Sequence, residues 1–179
     1  KIIGYSTRNS GGVPENFRNY FVISFDKPFT NASVWHGKKL EPGKTELQDT
    51  HVGALVHFKT RKGEKVHARV ASSFISAEQA ELNLNEIGNK SFETVKQEAK
   101  AAWNKQLGRI EAVGGTMDQT RTFYSCLYRT MLFPRKFYEI DASGKIMHYS
   151  PYNGKVLPGY MFTDNGFWDT FRAAFPLFN

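Results

Sequence analysis

Residues 65–87, KVHARVASSFISAEQAELNLNEI, hold the change of period on which the fold turns. Residues 65–71 read as a short strand. From Ser76 the pattern is helical. Ser76-Ala77-Glu78-Gln79 has the form of a capping box, in which the serine hydroxyl accepts from the third helical N–H and the glutamine reaches back. The spacing predicts a helix to about Ile87, ending near Gly88-Asn89. Strands before this point and helices after it make the chain α+β.

Working back toward the N-terminus, residues 1–75 read as β structure. Residues 20–25, YFVISF, form a mainly apolar strand bounded by Asp26-Lys27-Pro28. Residues 54–60 and 65–71 flank Arg61-Lys62-Gly63-Glu64, a polar glycine-containing link that suggests a hairpin. That pairing would set His57 and His67 face to face. Short strands with this punctuation suggest the end of an antiparallel β-sandwich.

Working forward, a second helix starts at Ser91. It carries Phe92, Val95, Ala99, Ala102, Trp103, Leu107 and Ile110 on one stripe, with Gly114-Gly115 as its expected end. Trp103 reads as core. Thr116-Met117-Asp118-Gln119 repeats the capping-box form, and a third helix should run to about Phe133, before Pro134. Phe123, Leu127 and Met131 share one face of it. Residues 136–140 and 145–149 flank Asp141-Ala142-Ser143-Gly144, a second hairpin link. After a loop over 150–159, a last helix is expected from near Asn165, with Trp168, Phe171 and Phe175 on one stripe.

The composition narrows the function classes. The 179 residues are 40% hydrophobic and 15% aromatic, enough for a sizeable core. The net charge of +7 is spread along the chain, without the concentrated basic footprint of a nucleic-acid binder. No apolar run reaches the roughly 18 residues of a membrane span. The single cysteine, Cys126, closes no disulfide within the chain and reads as a small buried hydrophobe. His36, His51, His57, His67 and His148 lack the i, i+4 spacing of a zinc helix. No nucleophile elbow, phosphate-binding loop or dinucleotide fingerprint occurs. The chain begins without Met and stops within an apolar segment at Phe178-Asn179, which reads as an internal piece of a longer protein.

Residues 157–172, LPGYMFTDNGFWDTFR, carry the chemistry. Flat rings beside carboxylate, amide and guanidinium groups suit a neutral ligand with many hydroxyls, such as a sugar. The same residues would also suit a buried helix start with a satisfied aspartate. Glycoside hydrolysis usually uses two carboxyl groups. The candidates near the rings are Glu139, Asp141, Asp164 and Asp169. Asp141 sits in a turn, and Asp164 is placed to cap the last helix. Asp169, in the first turn beside Trp168 and three residues before Arg172, is placed to stay ionised and accept from sugar hydroxyls.

The run FYSCLYRTMLFPR over 123–135, and HYSPYNGKVLPGYMFTDNGFWDTFRAAFPL from His148, resemble glycoside hydrolase family 92. The likeness is most specific over 159–177. It implies a calcium-dependent exo-acting α-mannosidase that inverts the anomeric configuration. The implied substrates are terminal mannosides or N-glycans, α-1,2-linked in particular. It also implies an N-terminal β-sandwich and a C-terminal (α/α)6 barrel joined by helices. Residues 1–75 would then end the sandwich, 76–115 form a helical linker, and 116–179 begin the catalytic barrel. Trp168 and Asp169, with Arg172 beside them, would bind the mannose. The family's Glu-Gly-Asn-Ala-Trp-type motif of the acid, and its Asp-x-Gly-Gln-Met-Ser-type motif of the base and calcium site, are absent. Both are expected beyond Asn179, so the resemblance assigns no catalytic residue and no metal ligand to this chain, and alone it should be inactive. A periplasmic or secreted location goes with the family. A non-catalytic carbohydrate-binding module is the rival reading, and a plain structural domain the third.

Overall fold

The computed structural model describes residues 1–163 and 165–178. They form two compact units: Lys1–Arg8 with Arg18–Leu84, and Asn9–Phe17 with Asn85–Asn179. The architecture is mixed α+β, and every strand pairing is antiparallel.

The first unit holds β1 (Ile2–Ser6), β2 (Asn19–Phe25), β3 (Asn31–His36), β4 (Lys39–Pro42), β5 (Val52–His57), β6 (Ala68–Ser73) and α1 (Ala77–Leu84). The strands make two sheets, ordered β1-β2-β6 and β4-β3-β5. The apolar run of β2 suits it to the centre of its sheet, where Val22 lies between Ile3 and Ala71 and is fully buried. The 61–64 link does not make the expected hairpin. β5 pairs with β3, β6 pairs with β2, and residues 58–67 cross between the sheets. The turn itself is present: Glu64 N donates to Arg61 O at 3.0 Å, and Arg61 N donates to the Glu64 carboxylate at 2.8 Å. Lys27 ion-pairs with Glu64, and Phe25, Phe29 and Phe58 meet edge to face between 5.1 and 6.5 Å. A tight turn reverses the chain locally, but the neighbouring strand decides the partner. His57 therefore sits opposite Asn31, while His67 binds the Asp26 carboxylate at 2.7 Å.

α1 starts as expected, with Gln79 N donating to Ser76 Oγ at 3.1 Å. The Ser76 N–H is taken by Ser73 Oγ at 3.3 Å, while the Gln79 amide donates to Asn83 Oδ1 at 2.9 Å. Asn83 in turn donates to Ser72 O at 2.9 Å, tying the helix to β6. Ala80, fully buried, lies on the helix that packs against β2 and β6.

In the second unit α2 (Phe92–Leu107) is capped by Ser91, which accepts from Thr94 N. It ends at Gly108, earlier than expected; the Gly108 N–H makes the last helical bond, to Asn104 O at 2.9 Å. Gly114 and Gly115, with φ of +88° and +77°, lead instead into α3 (Met117–Thr130). Trp103 is half-buried rather than core and meets Tyr128 edge to face at 4.6 Å. α3 carries the full reciprocal box: Gln119 N donates to Thr116 Oγ1 at 3.3 Å and Thr116 N to Gln119 Oε1 at 2.7 Å. It stops at Thr130, with Met131 as C-cap. Leu127 is buried, but Cys126, one position round the helix, is exposed rather than buried.

The third sheet is β7 (Glu139–Ile140), β8 (Ile146–Tyr149) and β9 (Val156–Pro158), in that order. Here the expected hairpin forms. Asp141 Oδ1 accepts from Ser143 N, Ser143 Oγ and Lys145 N within 2.9 Å, and Gly144 supplies φ of +82°.

Candidate functional site

The segment that carries the candidate residues is led to them by a hydrogen-bonded ribbon. Gly159 N donates to Ile146 O at 2.8 Å, and His148 Nδ1–H donates to Gly159 O at 2.9 Å. Phe137 N donates to Met161 O at 2.8 Å, Phe162 bridges to Lys136, and Thr163 N donates to Arg135 O at 2.9 Å. Thr163 Oγ1 also accepts from Arg135 N at 2.8 Å. The chain is thus pinned as far as Thr163.

Beyond it, α4 (Phe167–Thr170) is a single turn, followed by α5 (Ala174–Phe178). The start is later than the expected Asn165. Gly166 occupies the N-cap position and makes no side-chain cap, while Asp164, the expected cap, lies outside the described residues. Thr170 Oγ1 donates to Gly166 O at 2.8 Å, and Asp169 N donates to the same carbonyl at 3.1 Å. A Cβ on Gly166 would lie 2.6 Å from Asp169 Oδ2. Glycine leaves that room beside the carboxylate, a feature missed in the sequence reading although it stands beside the motif.

The rings form two clusters. Tyr138 meets Tyr160 at 4.9 Å and Phe162 at 5.7 Å, both edge-on. Phe167 meets Phe175 at 5.1 Å and Phe171 at 6.3 Å, and Phe175 meets Phe178 at 6.1 Å. Phe167, four residues before Phe171 and eight before Phe175, joins them in place of the expected Trp168. Nor are these rings a core within this chain: Tyr160, Phe162, Phe167 and Phe171 are all exposed. Trp168 stands apart, 83% exposed, with no ring partner among the described residues. Asp169 is exposed beside it and forms no ion pair with Arg172, whose guanidinium lies 5.0 Å from the Phe171 ring centroid. The structure thus places Trp168 and Asp169 side by side, with no side-chain partner among the described residues, and puts Arg172 on a ring.

Asp141 and Glu41 are held in structural roles. The Asp141 hydrogen bonds to Ser143 and Lys145 hold its carboxyl below the ordinary range, as a turn organiser and not a proton donor. Glu139 sits in β7, opposite Met147. Glu41 is gripped by Lys39 at 2.8 Å, Lys44 at 3.2 Å and His36 at 3.3 Å, which lower its pKa to about 2. Among the described residues no group of three or more His, Cys, Asp or Glu could hold a metal ion. The calcium implied by the resemblance finds no such donor set among the described residues.

The model of the glycosyl hydrolase family 92 N-terminal domain matches residues 1–73, and that of the family 92 catalytic domain matches residues 79–179. The chain belongs to glycosyl hydrolase family 92. Its sheets followed by helices are the family's N-terminal domain and the start of its catalytic domain. A solved family 92 inverting mannosidase from Bacteroides thetaiotaomicron superposes with a TM-score of 0.93 and 49% identity, over 98% of this chain and 24% of that one. A family 92 alpha-mannosidase from the same species shares the fold at a TM-score of 0.77 and 24% identity, over 94% of this chain and 23% of that one. A protein of Arthroderma benhamiae named as an uncharacterized secreted glycosidase is 40% identical over 78 residues, 41% of this chain and 10% of that protein. The chain thus spans about a quarter of its solved family 92 relatives and a tenth of this curated one. No helix among the described residues is long and apolar enough to cross a membrane.

Proposed function

We propose that residues 1–179 contribute one wall of the mannose site of an inverting exo-α-mannosidase. The observation that carries the reading is an exposed Trp168 beside an exposed Asp169, neither committed to a structural partner among the described residues. A flat indole covers the C–H face of a sugar, and a carboxylate accepts from two neighbouring hydroxyls. Arg172, three residues on, is assigned as a further N–H donor to the sugar. An α-1,2-linked terminal mannose, free or on an N-glycan, is the substrate class we assign.

The catalytic acid, the base and the calcium site belong to parts of the intact protein outside these residues. There, one carboxyl group protonates the leaving oxygen, and a second activates water on the opposite face of the ring. We assign residues 1–75 to the end of the β-sandwich, 76–115 to connecting helices and 116–179 to the start of the (α/α)6 barrel. The name of the fungal relative supports placing the enzyme outside the cytoplasm, secreted or periplasmic.

The test is hydrolysis of α-mannosides by the intact protein, with the first-formed anomer read by NMR. We expect β-mannose, and loss of turnover on addition of EDTA. Release of α-mannose would overturn the inverting assignment, and binding without turnover would favour a carbohydrate-binding module. Chelator-insensitive turnover would remove calcium from the account.

A further inference from the structure

The β1–β2 connection, residues 9–17, falls within the match to the family's N-terminal domain, yet it is part of the second compact unit. We propose that it is a strap that positions the sugar-facing segment, with Asn16 as the positioning residue. This rests on the assignment of Trp168 and Asp169 to the mannose site.

Asn16 uses both ends of its amide on one turn. Its Nδ2 donates to Gly154 O at 2.8 Å, and its Oδ1 accepts from Tyr149 OH at 3.1 Å. Only a carboxamide offers donor and acceptor together at that reach. Tyr149 and Ser150 are 4% and 5% exposed, so the strap seats on a buried part of the unit. Phe17 adds an edge contact to the Tyr149 ring at 5.9 Å, and Phe17 N donates to Pro14 O at 3.0 Å, closing the end of the strap. The turn it grips is closed by Gly154 N to Ser150 O at 2.9 Å and by Ser150 N to Lys155 O at 2.8 Å. Gly154 has φ of +70°, and the Asn16 side chain occupies the place a Cβ would take.

The grip matters because the turn joins β8 to β9. Its shape sets the register of Tyr149 against Val156, His148 against Leu157 and Met147 against Pro158. A one-residue slip would turn every side chain to the other face. The same register delivers Gly159 to Ile146 and His148, then Met161 to Phe137 and Thr163 to Arg135. That ribbon ends a few residues before Trp168 and Asp169.

The experiment uses the intact enzyme with Asn16→Ala, Tyr149→Phe, Gly154→Ala and the Asn16→Ala/Gly154→Ala double variant. Amide hydrogen exchange over 146–163 and kcat and KM on an α-mannoside are measured where each variant remains folded. Asn16→Ala should speed exchange at Ser150, Gly154 and Gly159 about tenfold or more, and lower kcat/KM about tenfold, as expected for a displaced binding group. Tyr149→Phe, which keeps the packing and removes one hydrogen bond, should shift both in the same direction by less. Gly154→Ala should be at least as damaging alone but add less in the Asn16→Ala background, because its clash partner is gone. Unchanged exchange in Asn16→Ala and Tyr149→Phe, or strictly additive effects in the double variant, would overturn the strap. So would loosened exchange with unaltered kinetics while Asp169→Ala inactivates the enzyme. If Asp169→Ala proves silent, the site assignment fails, and the exchange data alone decide for or against the strap.

Discussion

Helices α3 and α4 face the same problem at their starts, N–H groups with no partner in the preceding turn, and meet it differently. α3 satisfies its own with the reciprocal Thr116–Gln119 box and then buries Leu127. α4 opens on Gly166 with no side-chain cap among the described residues, lasts one turn, and leaves Trp168 exposed next to Asp169. One helix spends its polar residues on its own stability. The other leaves Trp168 and Asp169 exposed, and we read them as a binding surface. Residues of a binding surface should therefore affect activity without affecting folding, and residues of a cap the reverse.

After that at Asp169, the largest of the separating effects is expected at Trp168. Trp168→Ala in the intact enzyme should lower kcat/KM on an α-mannoside about tenfold, the scale of a lost ring contact. Its unfolding free energy should stay within about 0.5 kcal/mol of the parent, as for an exposed position. A large loss of stability with unchanged kinetics would make Trp168 a packing residue and erase the contrast. Next comes Thr116→Ala, which should lower stability by about 1 kcal/mol in a denaturant titration while Thr116→Ser retains most of it. KM should be unchanged in both. A shift in KM would show that α3 reaches the site.

The smallest effect is a control on pH in the first unit. Glu41 has its pKa lowered from 4.5 to about 2, by Lys39 first, then Lys44 and His36. The native state thus favours the ionised form. Its contribution is present above the ordinary value of 4.5 and lost as pH falls through that value toward about 2. Glu41→Gln should flatten the dependence of the unfolding midpoint on pH in that window, by a small amount because surface ion pairs contribute little. An unchanged slope would show that these pairs do not couple to folding.

The sequence showed best what is settled by residues three or four apart. The Thr116 box, the Ser91 cap and the Asp141–Gly144 hairpin are local, and each formed as read. The 61–64 link has comparable turn chemistry, yet β6 left β5 for β2, a strand more than forty residues earlier. Nothing within the link records that choice. The site divides along the same line. Trp168 and Asp169 stand together because they are neighbours in the chain, and their exposure is what the structure adds. The expected pairing of Asp169 with Arg172, and the stripe through Trp168, did not form: Arg172 lies on the Phe171 ring, and Phe167 takes the place of Trp168 beside Phe171 and Phe175. Asn16 could not have been read from the sequence, because its partners lie more than 130 residues away.

The most direct test of the account is Asp169→Ala in the intact enzyme, with kcat/KM on an α-mannoside and the unfolding midpoint measured on the same preparation. The account predicts a loss of at least about 100-fold in kcat/KM, the scale of a lost positioning contact, with the midpoint unmoved. Near-parental kinetics, or a loss of activity that merely follows unfolding, would contradict it.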